Sequence, residues 1–210
     1  MIAIIDYGCG NLFSLSCSLE KIGAPCVVTG DAEVIRRADR LILPGVGAFG
    51  AAAEKLRRTG LFEVIRREAA AGKPILGICL GMQLLFEKGY EYGEHDGLGL
   101  IPGEVCPFKG ELGESLDIPH MGWNELCFDR PQDPILAGNK EGDFVYFVHS
   151  YYARTDSSCI TASAMYGIKV PAIVRAGNVW GMQFHPEKSG PVGLSLLASF
   201  AGMTRESEVL

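Results

Sequence analysis

The chain has 210 residues, with 19 Lys and Arg against 25 Asp and Glu and a formal charge of −6. That balance leaves no basic footprint for nucleic acid or an anionic membrane surface, and no apolar run reaches the length of a membrane-spanning helix. Hydrophobic residues make up 48% and charged residues 21%, the mix of a globular chain long enough to bury a substantial core.

The first residues, Ile2 to Asp6, lack a basic n-region and meet a charge at once, so they read as a buried strand rather than a signal peptide. A helix follows over Asn11–Ile22, a strand over Pro25–Thr29, and a short helix for which Asp31 is the N-cap. Arg40–Leu43 reads as a strand. The apolar run from Leu41 to Ala53 is then broken by Pro44, Gly45, Gly47 and Gly50. Leu61–Ala71 is an amphipathic helix, Ile75–Cys79 a strand, and Leu80–Lys88 carries apolar residues at helical spacing. This β-α alternation predicts an α/β fold, with a mostly parallel central sheet and helices on both faces. Between Gly97 and Val174, short apolar segments such as 145–148 and 160–166 alternate with turn signals, which predicts an antiparallel portion added to the same sheet. Val179–His185 reads as a strand and Gly190–Ala201 as a closing helix. A single domain over 1–203 and a loose polar tail over 204–210 are expected. Seven cysteines without a C-x-x-C pair argue against a disulfide framework and a zinc site. Reduced thiols and a cytoplasmic address follow, with six of the seven as small hydrophobes in or near the core.

Three segments carry chemistry. Gly77-Ile78-Cys79-Leu80-Gly81 puts a thiol at a strand-to-helix junction, where flanking glycines permit a sharp bend. A sulfur there faces the first amides of a helix, and the positive end of its dipole favours a thiolate. Phe184-His185-Pro186-Glu187 supplies an imidazole and a carboxylate two residues apart. In extended chain, which Pro186 favours, the two point to one side. A carboxylate on one ring nitrogen fixes the tautomer that leaves the other free to take the thiol proton. Pro44-Gly45-Val46-Gly47 lies at the end of a strand, where the amides of Val46 and Gly47, with that of Leu80, can meet developing oxyanion charge. Each segment has a plainer reading. Cys79 can be a core thiol, His185 a strand-end histidine beside a surface glutamate, and the glycine loop a bare β-α turn. The loop lacks the nucleotide-binding Gly-Lys-Ser/Thr ending.

Together these segments resemble the class I, triad-type glutamine amidotransferases. The likeness extends along the chain through Asp6-Tyr7-Gly8-Cys9-Gly10-Asn11, Leu43–Gly50, Pro119-His120-Met121-Gly122-Trp123-Asn124 and Tyr146–Tyr151. Those segments are similar to the glutaminase-subunit family of imidazole glycerol phosphate synthases. The resemblance implies a Cys79–His185–Glu187 triad that hydrolyses glutamine to glutamate and ammonia without cofactor or metal. It implies that Gln83, Glu91 and the His149-Ser150-Tyr151 backbone hold the amino-acid end of glutamine. It further implies a heterodimer with a (β/α)8-barrel cyclase that consumes the ammonia, with Asn11, Trp123, Tyr146 and Lys188 at or near the interface. Residue by residue, the interface candidates also read as a loop cap, a core aromatic, a strand aromatic and a surface charge. The rival classes are a stand-alone cysteine hydrolase or peptidase on the same scaffold and a non-catalytic binding module. The second usually lacks a triad member, and none is missing here.

Overall fold

The computed structural model describes residues 1–112 and 116–202; the expected tail over 204–210 lies outside them. The β-α repeat forms as β1 (Ile2–Ile5), α1 (Leu12–Lys21), β2 (Cys26–Thr29), α2 (Ala32–Arg37) and β3 (Arg40–Leu43). Asp31 caps α2 by accepting the Glu33 N–H at 2.7 Å. Next come α3 (Phe49–Arg58), α4 (Leu61–Ala70), β4 (Ile75–Ile78) and the short α5 (Leu80–Gln83). Strand residues alternate between two apolar layers. Ala3, Ile5, Leu41 and Leu43 face the layer that includes α3 and α4, while Ile2, Ile4, Ile42 and Leu76 face the layer of α1 and the last helix. Helices therefore cover both faces, as a parallel sheet requires.

The rest of the chain supplies β5 (Lys88–Gly89), β6 (His95–Asp96), β7 (Glu104–Pro107), β8 (His120–Glu125), β9 (Cys127–Phe128), β10 (Phe144–His149), β11 (Tyr151–Arg154), β12 (Ile160–Tyr166), β13 (Ile168–Ala176), β14 (Val179–Met182) and α6 (Gly190–Gly202). The main sheet runs β2-β1-β3-β4-β14-β13-β12-β9. It is parallel from β2 through β14 and antiparallel beyond. Only β9, β12 and β13 are thus antiparallel additions to the main sheet. The other strands of this region form two small sheets, β8-β10 and β11-β7-β5-β6. The reason is visible in β10, where Val145, Phe147 and His149 are buried and the alternate residues are not. A ribbon with one apolar face covers a core; it does not extend a sheet buried on both sides.

Three expectations need correction. A helix, α3, forms over 49–58, where the glycines and proline of 44–50 obscure the periodicity. Its buried Phe49, Ala52, Ala53 and Leu56 lie on one face. The helical spacing over 80–88 yields only one turn, because the loop beyond it takes the next carbonyls: Leu98 N–H donates to Leu84 O and Leu100 N–H to Leu85 O, both at 2.8 Å. Strand β14 ends at Met182, and Pro186–Lys188 is a 3-10 turn rather than extended chain. Proline with its fixed φ suits the first position of such a turn.

One seam positions the site. A Cβ on Gly81 would lie 1.8 Å from the Leu43 carbonyl oxygen, and one on Gly45 would lie 2.7 Å from the Gly81 nitrogen. The loop after β3 and the turn after β4 therefore touch backbone to backbone.

Candidate active site

β4 and β14 are parallel neighbours, pairing Gly77 with Gly181 and Ile78 with Met182, and the ladder continues as Cys79 N–H to Met182 O at 2.8 Å. Their carboxyl ends deliver Cys79 and the 183–187 segment to the same edge of the sheet, where open α/β folds place their sites. Cys79 has φ 53° and ψ −113° as the N-cap of α5. That left-handed, strained backbone is one few side chains adopt, and it turns the sulfur out over the helix N-terminus. Leu80 follows as the first helical residue, so its N–H has no intrahelical acceptor and stays available to an oxyanion.

His185 Nδ1 donates to Glu187 Oε1 at 2.8 Å, with the two side chains 5% and 4% exposed. The contact forms across the 3-10 turn, not along extended chain. It leaves Nε2 for the sulfur. Burial opposes charging of the imidazole, but its hydrogen bonds to Cys79 and Glu187 outweigh burial and push it up to about 9. The other carboxylate oxygen, Glu187 Oε2, is buried with no hydrogen-bond partner among the described residues. His185 is anchored twice, through its N–H to Tyr146 O at 3.0 Å and its carbonyl to Ser189 Oγ at 2.7 Å.

A cavity of about 320 Å³ gathers the remaining candidates. Val46, Gly47 and Leu80 line it with Cys79 and His185, as do Gln83, Glu91, His149, Ser150 and Tyr151. Val46 is 47% exposed, and Gly47 takes φ +98°, a value that suits glycine. The Tyr7 hydroxyl holds this loop by donating to Pro44 O at 2.9 Å. Burial, with the neighbouring Cys9 and Cys79, pushes that phenol up, so it remains a donor. Glu91 Oε2 accepts the Phe49 N–H at 2.7 Å. It thereby supplies the side-chain cap that α3 lacks at its own N-cap, Ala48. Gln83 Nε2 donates to Tyr151 O at 3.1 Å and to Gln183 Oε1 at 3.0 Å.

The interface candidates lie elsewhere. Asn11 caps α1 through Ser14 N–H at 3.4 Å and lines a small cavity that Glu187 also lines. Trp123 is 56% exposed, which excludes the core reading, and its ring meets half-buried Tyr146 edge-on at 6.0 Å. Lys188 is exposed. Sequence reasoning assigns no role to Gln183, which is fully buried and whose Nε2 lies 3.9 Å from Cys79 Sγ. Its signal is spacing, two residues before His185 on a strand-like run. The cysteine expectation is also too simple: besides Cys79, only Cys106 and Cys159 are buried, and Cys17 is exposed. All seven are free. No helix among the described residues is long and apolar enough to cross a membrane.

A thiol on a strained elbow, a carboxylate-bound imidazole beside it and free amides at a helix start form the apparatus for acyl transfer from an amide through a thioester. The chain belongs to the class-I glutamine amidotransferase family, whose model matches residues 3–201. Its fold is similar to that of a crystal structure of a glutamine amidotransferase, with 19% identity, TM-score 0.74 and coverage of 97% of this chain and 100% of the other. It is likewise similar to PurLQS from Thermotoga maritima, with 21% identity, TM-score 0.71 and coverage of 95% and 96%. In sequence it is 52% identical to imidazole glycerol phosphate synthase subunit HisH of Geobacillus kaustophilus over 206 residues, 97% of each chain. It is 48% identical to the HisH subunit of Bacillus subtilis over 212 residues, covering 100% of this chain and 99% of the relative. Within the amidotransferases it therefore falls among the HisH subunits of imidazole glycerol phosphate synthase.

Proposed function

We propose that this chain is the glutaminase subunit of an imidazole glycerol phosphate synthase in histidine biosynthesis, with Cys79 as nucleophile, His185 as base and then acid, and Glu187 as the group that orients the imidazole. Cys79 attacks the side-chain amide of glutamine. The amides of Leu80 and of the Val46–Gly47 loop receive the oxyanion, and His185 returns a proton to the departing ammonia. Water then cleaves the thioester to glutamate. Gln83, Glu91 and the 149–151 backbone hold the amino-acid end. The observation that carries this reading is the single cavity in which the thiol and imidazole meet Gln83 and Glu91. A reduced, cytoplasmic setting suits a reaction that depends on a free thiol.

The ammonia goes to a (β/α)8-barrel cyclase bound as a heterodimer, which makes imidazole glycerol phosphate and aminoimidazole carboxamide ribotide. The outward face of the β8–β10 ribbon supports a partner there. Met121, Trp123 and Phe144 are 61%, 56% and 52% exposed, an apolar strip in which Tyr146 of β10 pairs with Trp123 of β8. A face of that kind marks a docking surface. Exposed Val46, in its glycine-bounded loop, gives the partner a movable element to bias. Glutamate release should therefore rise stepwise from the isolated chain, to the complex, to the complex with cyclase ligand. Equal rates in all three states would sink the coupling and leave a stand-alone cysteine hydrolase.

The pH profile tests the acid. Turnover needs a charged His185 to protonate the leaving ammonia, so it should fall on the alkaline side around the value of about 9. Glu187→Gln removes one of the bonds that raise this value, so the limb should move to lower pH. A limb that stays in place would remove the carboxylate from the mechanism. The linkage to stability has the same sign. A raised imidazole contributes stability that is fully present below its unfolded value of 6.5 and is lost as pH rises through about 9.

A further inference from the structure

Two buried histidines have imidazoles that the proposed chemistry leaves unused, His149 in the lining of the pocket and His120 paired with it. His149 ends β10, His120 opens β8, and the ribbon pairs them directly. His149 Nδ1 lies 2.8 Å from the Tyr151 carbonyl oxygen, which can only accept, so Nδ1 carries the proton. In the neutral ring Nε2 is then an acceptor, and it takes the Nδ1–H of His120 at 3.0 Å. His120 Nε2 in turn accepts from the Asn124 amide at 3.3 Å, and that amide also donates to the Met165 carbonyl at 2.9 Å. Each bond fixes the direction of the next, so one arrangement of protons satisfies the whole row. At its far end, the Tyr151 carbonyl receives a second bond, from Gln83.

The surroundings keep both rings uncharged. His120 is stacked between Phe147 and Tyr166, with centroids at 4.6 and 4.0 Å, and His149 packs on Phe108 at 5.2 Å. Burial pushes His120 down to about 4. For His149 burial again dominates, the Tyr151 carbonyl opposes it, and His120 and His185 add to it, giving about 3. Among the described residues the Tyr166 ring also stacks on His120 of the pair, and its phenol donates to the Asp117 carbonyl at 2.7 Å.

We infer that the His120–His149 pair is a positioning unit for substrate: it holds the Tyr151 carbonyl, and through it Gln83, in the orientation that receives the amino-acid end of glutamine. The role of glutamine rests on the function proposed above. Neutral imidazoles suit the task, because a proton gained at His149 Nε2 would set two donors against each other in the His120–His149 bond, and one gained at His120 Nε2 would do the same against the Asn124 amide.

The test uses the complex with the cyclase carrying Cys79→Ser, in which bound glutamine is not consumed, and reads glutamine affinity by calorimetry. Adding His149→Phe removes the donor to Tyr151 and should weaken binding about tenfold, read well below the melting temperature, which the orphaned His120 N–H lowers. Asparagine offers an amide donor at the Nδ1 position, so His149→Asn should recover most of the affinity. Undiminished affinity in His149→Phe, or equal loss in His149→Asn, would overturn the inference. Imidazole ¹⁵N NMR on the free chain judges the pair without glutamine. Both rings should stay neutral and Nδ1-protonated from about pH 5 to 8, and a charged ring or an Nε2–H His149 would overturn it. A parent complex that binds no glutamine would instead count against the proposed function, with the NMR result still deciding the pair.

Discussion

Cys79→Ala should lower glutamine-dependent turnover on the order of 10⁴-fold or more and leave the complex able to make imidazole glycerol phosphate from ammonium salt at high pH. The two halves of the expectation come from different chains. The thiol is here, on the elbow, while the cyclase chemistry belongs to the proposed partner. The substitution keeps the Cβ and the Cys79 N–H bond to Met182 O at 2.8 Å, so the turn and the interface should persist. A glutamine-analogue electrophile gives the complementary readout and should label Cys79 alone. Cys17 is the informative competitor, since its thiol is exposed whereas that of Cys79 is buried. Burial pushes the Cys106 thiol up, and nearby Glu104 adds to this. Labelling spread across several cysteines, or loss of the ammonia-driven reaction in Cys79→Ala, would remove this residue from its assigned role.

His185→Ala should be nearly as damaging, costing about 10⁴-fold or more in turnover, as loss of a triad base does. Glu187→Gln should cost less, because the carboxylate at 2.8 Å orients the ring and does not itself carry the proton. His149 provides the control. It is buried and pushed down to about 3, bonded to Tyr151 O and His120, so it is poorly suited to act as a base at neutral pH. Its replacement should appear in glutamine binding first. Steady-state kinetics on the three variants in complex decides the matter. A mild His185→Ala beside a crippling loss of kcat in His149→Ala would reverse the assignment of the base.

The parallel half of the fold was legible because strand and helix periods alternate from Ile2 to Ile78 except where the loop after β3 runs into α3. The helix over 49–58 was hidden by its own start, where Pro44, Gly45, Gly47 and Gly50 serve a backbone loop and mask the apolar period. The one-turn α5 was misjudged for a different reason. Leu84, Leu85 and Phe86 are apolar because they are buried, but hydrogen bonds from residues 97–101 end the helix, and partners that distant leave no local signal. The division of the antiparallel region into ribbons depends on which face each strand buries, a tertiary choice. At the site, Cys79, His185 and Glu187 were readable as residue types at telling spacings. The geometry linking His185 to Glu187 was not, because the 3-10 turn at Pro186 replaces extended chain. Gln183 and His120 carry no role that the sequence alone assigns. Their roles come from partners far away in sequence, Gln83 for one and His149 for the other.

The glycine seam between the loop after β3 and the turn after β4 bears on how such a site can be re-engineered. A library that randomises the neighbourhood of the nucleophile would find almost no viable alleles at Gly45, Gly77 or Gly81, where a Cβ would fall 2.6 Å or more closely on backbone at the last two and 2.7 Å from it at the first. Gly47 has open space around it but φ +98°, so room alone does not release it. Val46 remains, exposed and flanked by positions that cannot change. Variation in the proposed oxyanion loop is thereby funnelled to one codon, which makes Val46 the place to test for altered coupling between the two proposed reactions.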